Sequence, residues 1–152
     1  MDTRQLRAIG TVHNSVNKWV GVTKSKDVVS EIILDGDLLD GLKGLEDFSH
    51  ATILFWMPRS SGPLSITFHP GHQEDLPIVG VFAARSPSRP NPIARTIVEI
   101  VKHHNNILTV KGLDAINGTP VIDIMPYMPQ SDSFPNARVP AWVVDIYKSL
   151  RK

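Results

Sequence analysis

The chain has no cysteine. That excludes disulfides, thiolate zinc sites, iron–sulfur clusters and a cysteine nucleophile, and it suits a reducing compartment. Proline is missing before Pro58, although the chain holds 12 in all, with Pro87, Pro90 and Pro92 crowded together. Proline lacks a backbone donor and is barred from helix interiors, so a long helical bundle after residue 57 is not expected. No apolar run approaches the roughly 20 residues needed to span a bilayer. The start, Met1-Asp2-Thr3-Arg4-Gln5, carries no apolar signal region. Neither sign of charge dominates: 16 Lys plus Arg against 15 Asp plus Glu leaves +1, which argues against a general polyanion binder but not against a local basic patch. The expectation is a soluble, cytoplasmic protein without a metal.

What is present fits one domain over residues 1–152, since 41% of the residues are apolar and can bury a core. Strand-like segments dominate. Arg7 to His13, Val28 to Leu34, Ala51 to Met57, Pro63 to Phe68, Pro77 to Ala83, Ile93 to Val101, Ile107 to Lys111 and Val121 to Ile124 are β-branched, alternating or continuously apolar. His103 to Asn106 reads as a hairpin turn. A short helix is expected after Asp35, where Leu38, Leu39 and Leu42 share a face. A second is expected at the end, where Pro140 precedes Trp142, Val143, Ile146 and Leu150 at helical spacing. Short strands without alternating helices describe a mainly β protein, an antiparallel barrel or sandwich, and not a βαβ nucleotide fold.

Two segments carry chemistry. In Arg85-Ser86-Pro87-Ser88-Arg89-Pro90-Asn91-Pro92, prolines stiffen a loop that bears two guanidinium groups, suited to an anion or a planar base. The alternative is a rigid connection with solvated arginines. In Gly112 through Tyr127, Asp114 sits just past a strand and Asp123 lies between Ile122 and Ile124. Asp123 must face solvent, be paired, or have a raised pKa. Tyr127 either stacks on a base or covers the core edge. Trp19, among lysines, reads as exposed, either a base-stacking surface or an interface anchor. Trp142 reads as core, and Trp56 as a residue that reaches a pocket. His69 and His72 are separated by Pro70-Gly71, so no helix aligns them as metal ligands. No P-loop, G-x-G-x-x-G or G-x-S-x-G motif is present.

Four stretches taken in order resemble the TsaA-like (TrmO) family. They are Ile9-Gly10-Thr11-Val12, Gly44 to His50, Gly80-Val81-Phe82-Ala83-Ala84-Arg85-Ser86-Pro87-Ser88-Arg89-Pro90-Asn91-Pro92-Ile93, and Gly112-Leu113-Asp114 through Tyr127. The resemblance implies a single antiparallel β-barrel working as a homodimer. It also implies an S-adenosylmethionine-dependent methyltransferase acting on N6 of the threonylcarbamoyl-modified adenosine just 3′ of a tRNA anticodon. Carried over by position, it places Arg85, Arg95, Asp114, Ala115, Ile116, Asn117, Pro58 and Arg59 at the cofactor. Arg89, Asn91 and Trp19 are candidates for the RNA, and Asp123 and Tyr127 for the acceptor of the N6 proton. The chain departs from the family pattern at Pro58, Ala94 and Met125, where members often carry His, Gly and Lys, and the C-terminal extra domain of many bacterial members is not expected. The competing readings are a non-catalytic RNA-binding barrel and a barrel of the same fold that binds another small molecule.

Overall fold

The structure, a computed structural model, describes residues 2–19, 22–57 and 64–149. Six strands close into an antiparallel barrel: β1 (Gly10–His13), β2 (Val29–Leu34), β3 (His50–Trp56), β6 (Ile93–His104), β7 (Ile107–Lys111) and β8 (Pro120–Pro126), in the order β1-β2-β7-β6-β3-β8, with β8 returning to β1. Closure gives each of the six strands a neighbour on both sides over at least part of its length, which leaves little open sheet edge to template aggregation. A separate two-stranded ribbon pairs β4 (Thr67–Phe68) with β5 (Val79–Gly80). The helices are short: α1 (Val22–Ser25), α2 (Pro129–Asp132) and α3 (Ala141–Ser149), with 3₁₀ turns at Gly36–Leu42, Leu45–Asp47, Pro70–His72 and Val81–Ala83. No helix of the described residues is long and apolar enough to cross a membrane.

Alternation explains the core. Val12 on β1, Ser30, Ile32 and Leu34 on β2, Ala51, Ile53 and Phe55 on β3, Val98 on β6 and Val121 on β8 all point inward and are buried. Leu108 and Val110 on β7 join them, together with Leu113 and Ala115 just beyond it. Gly10 is required by the closeness of β1 to β2: a Cβ there would lie 2.5 Å from the Ile33 carbonyl oxygen and 3.0 Å from Leu34 Cα. The β6–β7 hairpin turns at Asn105-Asn106. Asn105 takes a φ of 50°, a left-handed conformation that asparagine tolerates, and Asn106 Nδ2 donates to the Leu34 carbonyl at 2.7 Å.

Several expectations need correction. The early helix after Asp35 is a 3₁₀ turn. Of the strand expected over Pro77 to Ala83 only Val79–Gly80 forms. The chain then tightens into the 3₁₀ turn Val81–Ala83, because Arg89 Nη1 donates to the carbonyls of Val81 (3.1 Å) and Ala84 (2.7 Å) and draws them together. Of the strand expected from Pro63, the part at Thr67–Phe68 is formed and the proline lies outside the described residues. The terminal helix forms after Pro140, but none of its described residues is buried; Trp142, expected in the core, is half-buried. Leu150 lies outside the described residues.

One register detail positions the site. β6 pairs with β3 from Ile93 to Glu99, but meets β7 only from Glu99 onward. Its first half therefore has a neighbouring strand on one side only.

Candidate active site

Beside that half-paired stretch lies a cavity of about 860 Å³, within the usual size of small-molecule sites, roughly 300–1,000 Å³. Four parts of the chain bound it: the end of β3 at Phe55 and Met57, β6 from Ile93 to Ile97, the arginine loop with Phe82 ahead of it, and the turn after β7, joined by Trp19 and Tyr147.

The arginine loop is built as its prolines predict. Ser86 Oγ accepts the Ser88 N–H at 3.2 Å, a local turn. Arg89 uses Nη1 to brace the loop's own carbonyls, so at least that nitrogen supports the wall rather than a ligand. Arg85 and Arg95 also line the cavity, and among the described residues neither guanidinium has a hydrogen-bond or ion-pair partner. A guanidinium held in a concave site is a ready bidentate partner for carboxylate or phosphate.

The turn after β7 starts at Gly112, whose φ of 92° strongly favours glycine. It delivers Asp114 to the cavity. Trp19 Nε1 donates to Asp114 Oδ1 at 3.1 Å, and Ser25 also hydrogen-bonds the carboxylate. Burial nevertheless dominates and pushes the Asp114 pKa above the usual carboxylate range, against the two hydrogen bonds that pull it down. No cation pairs with Asp114 among the described residues. Trp19 itself is 70% exposed, so the ring is tethered through its nitrogen while its faces stay open.

Asn14 fixes the Trp19 segment to this turn. Its Nδ2 reaches Ser30 Oγ and the Ala115 carbonyl, both at 2.9 Å, and its Oδ1 accepts the Val16 N–H at 2.9 Å. The Asn117 N–H then donates to the Val16 carbonyl at 2.7 Å. Asn14→Ala leaves the buried Ser30 hydroxyl without that donor. The expected cost is about 1–3 kcal/mol, read by urea denaturation at unchanged m-value; a loss below about 0.5 kcal/mol would show that the segment is held otherwise.

Of the residues singled out from the sequence, Arg85, Arg89, Arg95, Asp114, Ala115, Ile116 and Trp19 line the cavity together. Asn117 stands behind the turn, where its Oδ1 accepts the Asn14 N–H at 3.3 Å. Asn91 is exposed beside the loop and outside the lining. Asp123 lies on the outer face of β8, exposed, with Oδ1 accepting the Ile124 N–H at 2.9 Å. It is two strands from Arg95 in one cross-strand row, Asp123–Leu54–Arg95, which the usual strand spacing makes about 10 Å. Tyr127 follows β8 at the end of β3 away from the cavity, where its N–H donates to the His50 carbonyl at 3.0 Å and its ring stands edge-on to His50 with centroids 6.4 Å apart. Neither Asp123 nor Tyr127 lines the cavity. Trp56, expected to reach a pocket, does not; its neighbours Phe55 and Met57 do. Pro58 and Arg59 lie outside the described residues. Among the described residues no group of three or more His, Asp or Glu could hold a metal.

Sequence reasoning missed Phe82, Ile97 and Tyr147. Phe82 stands three residues before Arg85 in the quoted family stretch, and Ile97 lies two residues after Arg95 on the same strand face, so both had a signal. Tyr147 comes from α3 and had none.

The chain is similar to known proteins. A probable S-adenosyl-L-methionine-binding protein of Archaeoglobus fulgidus is 37% identical over 139 residues, 89% of this chain and 37% of that protein. The tRNA (adenine(37)-N6)-methyltransferase of Escherichia coli is 35% identical over 148 residues, 90% of this chain and 63% of the enzyme. The crystal structure of TrmO from Pseudomonas aeruginosa superposes with a TM-score of 0.74 at 26% identity, covering 90% of this chain and 61% of that one. The chain thus spans under two thirds of the length of each of these three. Residues 21–133, which include most of the barrel, the arginine loop and the Asp114 turn, match the tRNA-methyltransferase O N-terminal domain. With that match and these relatives, the chain belongs to the tRNA-methyltransferase O family.

Proposed function

We propose that the cavity binds S-adenosylmethionine and serves methyl transfer to N6 of the threonylcarbamoyl-modified adenosine beside a tRNA anticodon. The observation that carries this reading is the pairing, in one cavity, of guanidinium groups unpartnered among the described residues with a half-buried carboxylate that lacks a cation there. S-adenosylmethionine has the complementary groups: a carboxylate, a cationic amino group and sulfonium, and an adenine. The residues fit it. Arg85 would hold the carboxylate, Asp114 the cationic part, and the apolar walls from Phe82, Met57 and Ile116 the flat ring.

When bound, this cofactor supplies a methyl group whose bonding electrons stay on sulfur. The chain's own contribution is positioning, which can carry much of an in-line displacement. The loop prolines and the Arg89 brace fix Arg85. The Gly112 turn and two donors fix Asp114. Phe82 and Tyr147 narrow access to water. The carbamoyl group makes the N6 proton more acidic and its lone pair less available, so a proton acceptor helps. Asp123 and Tyr127 are the two candidates for it: Asp123 requires the base to lie across the outer face beside Arg95, and Tyr127 requires it to reach four residues further along β8, toward His50. The substrate loop is single-stranded, so no duplex has to open.

A homodimer in the cytoplasm completes the proposal. Phe82, 81% exposed, and Phe134, 74% exposed, with the unburied apolar face of α3, are surfaces that a second copy would cover.

Calorimetry with S-adenosylmethionine tests the reading: saturable binding by the wild type is expected, and none would overturn it. Arg85→Ala is expected to weaken binding roughly 10–100-fold, the worth of a charge-assisted hydrogen bond, with the thermal midpoint unchanged. Equal affinity in the folded variant would remove Arg85 from the site. Cofactor binding with no methyl transfer to modified tRNA would favour the non-catalytic reading instead.

A further inference from the structure

The half-paired stretch of β6 bears on which substrate the cavity accepts. The Met57 N–H donates to the Pro92 carbonyl at 2.8 Å, and the Ile100 N–H donates to the Ser49 carbonyl at 2.9 Å. These mark the hydrogen-bonded pairs of the β3–β6 ladder, and the register between them runs without a break. In an antiparallel pair, residues bonded to one neighbour alternate with residues whose N–H and C=O point the other way. Residues 94, 96 and 98 therefore bond to β3, and the N–H and C=O of Arg95 and Ile97 point away from it. β7 first meets β6 at Glu99. Among the described residues, then, the backbone groups of Arg95 and Ile97 have no strand partner, and both residues line the cavity.

An unpaired strand edge recognises extended amide-like groups by offering an N–H to a carbonyl and a C=O to an N–H. Here the edge lies in a concave site beside the guanidinium of Arg95, which is unpartnered among the described residues and is not the one assigned to the cofactor. A short amide or urea that ends in a carboxylate matches both features: its polar atoms meet the edge, and its charge meets Arg95.

We infer that the free edge of β6 at Arg95 and Ile97 is the specificity-determining element for an amide- or urea-linked amino acid carboxylate on the substrate base. This deepens the function proposed above and rests on it for the identity of the base. A plain adenosine offers no such group, so the edge would separate modified from unmodified substrate without a dedicated side chain.

The test uses an anticodon stem-loop RNA carrying the threonylcarbamoyl adenosine and the same RNA without the modification. The wild type is expected to bind the modified RNA at least 10-fold more tightly; equal affinities overturn the inference. Ile97→Pro removes one edge donor, and proline is tolerated where the N–H faces out of the ladder. It is expected to reduce the preference to within about 3-fold while the affinity for S-adenosylmethionine changes less than 2-fold. A preserved preference in the folded variant overturns the inference. So does a loss of cofactor affinity, which would assign the edge to the cofactor, or a change in sedimentation, which would assign it to a subunit contact. Should the proline variant not fold, a backbone ester at residue 97 removes the same N–H while leaving the side chain in place. Cofactor binding by the wild type is scored separately: its absence removes the proposed activity, whereas a lost RNA preference alone removes only the edge.

Discussion

Asp114→Asn should make the protein more stable and its site worse. The Asp114 carboxyl lies in a half-buried place that penalises its charged form. Asparagine keeps an oxygen for Trp19 Nε1 and the Ser25 hydroxyl while removing that penalty. The thermal midpoint is expected to rise by roughly 2 °C, a modest amount because solvent still reaches the group and screens it. Over the same change, affinity for S-adenosylmethionine is expected to fall on the order of 10–100-fold, since a cation would lose its buried partner. Because the folded pKa is raised, the charged carboxylate destabilises the fold above that pKa, and acidification through it relieves the cost. The gap in midpoint between variant and wild type should therefore close as pH falls. Wild-type affinity for the cofactor should weaken over the same interval, as the acid form cannot pair with a cation. Differential scanning fluorimetry and calorimetry between pH 7 and mildly acidic pH read both. A variant less stable than the wild type, with full affinity, would mean that Asp114 is a structural acceptor for Trp19 and nothing more. Gains in stability from removing a functional charge are the familiar mark of a site held against the preference of the fold.

Gly10→Ala carries the largest expected loss of stability. The added carbon would sit 2.5 Å from a backbone oxygen and 3.0 Å from a backbone carbon of β2, so no side chain can simply swing aside. β1 is bonded to both β2 and β8, and pushing it outward loosens the closure of the barrel on both sides. A cost of about 2–4 kcal/mol is expected, or a drop in midpoint of roughly 5–15 °C. Gly41→Ala is the control, because among the described residues nothing lies within 4 Å of the place its methyl group would take. Similar midpoints for the two variants would refute the close-approach argument.

The barrel was largely legible because its strands are local events. Val29–Leu34 and Ile107–Lys111 announce themselves by β-branching, and the turn between β6 and β7 by consecutive asparagines. Where the reading failed, a long-range contact had reset a local preference. Val81 to Ala83 has the composition of a strand, yet Arg89 pulls its carbonyls into a turn. Trp142 has the spacing of a core residue, yet α3 offers it no buried position.

For the site, the stiff arginine loop and Asp114 stood out from residue type and place alone. Arg95 needed the family pattern. The free edge of β6 was invisible by either route, because it depends on where β7 begins to pair, and register is not written in any single strand. Asp123 shows the same limit: Val121, two residues before it, points inward, and only the shift in pairing between Leu54 and Phe55 turns Asp123 outward.

The wall contributed by Tyr147 has a different standing from the rest. It rides on a helix of nine residues, a length that is marginal in isolation, with no buried residue among those described to anchor it. The free energy keeping that wall in place is therefore local and small, while the strands behind it open only when the whole barrel does. Warming or mild denaturant would dismantle one side of the cavity in a molecule that still counts as folded. The temperature at which the protein loses its ligand and the temperature at which it loses its structure are then two separate properties, open to separate change.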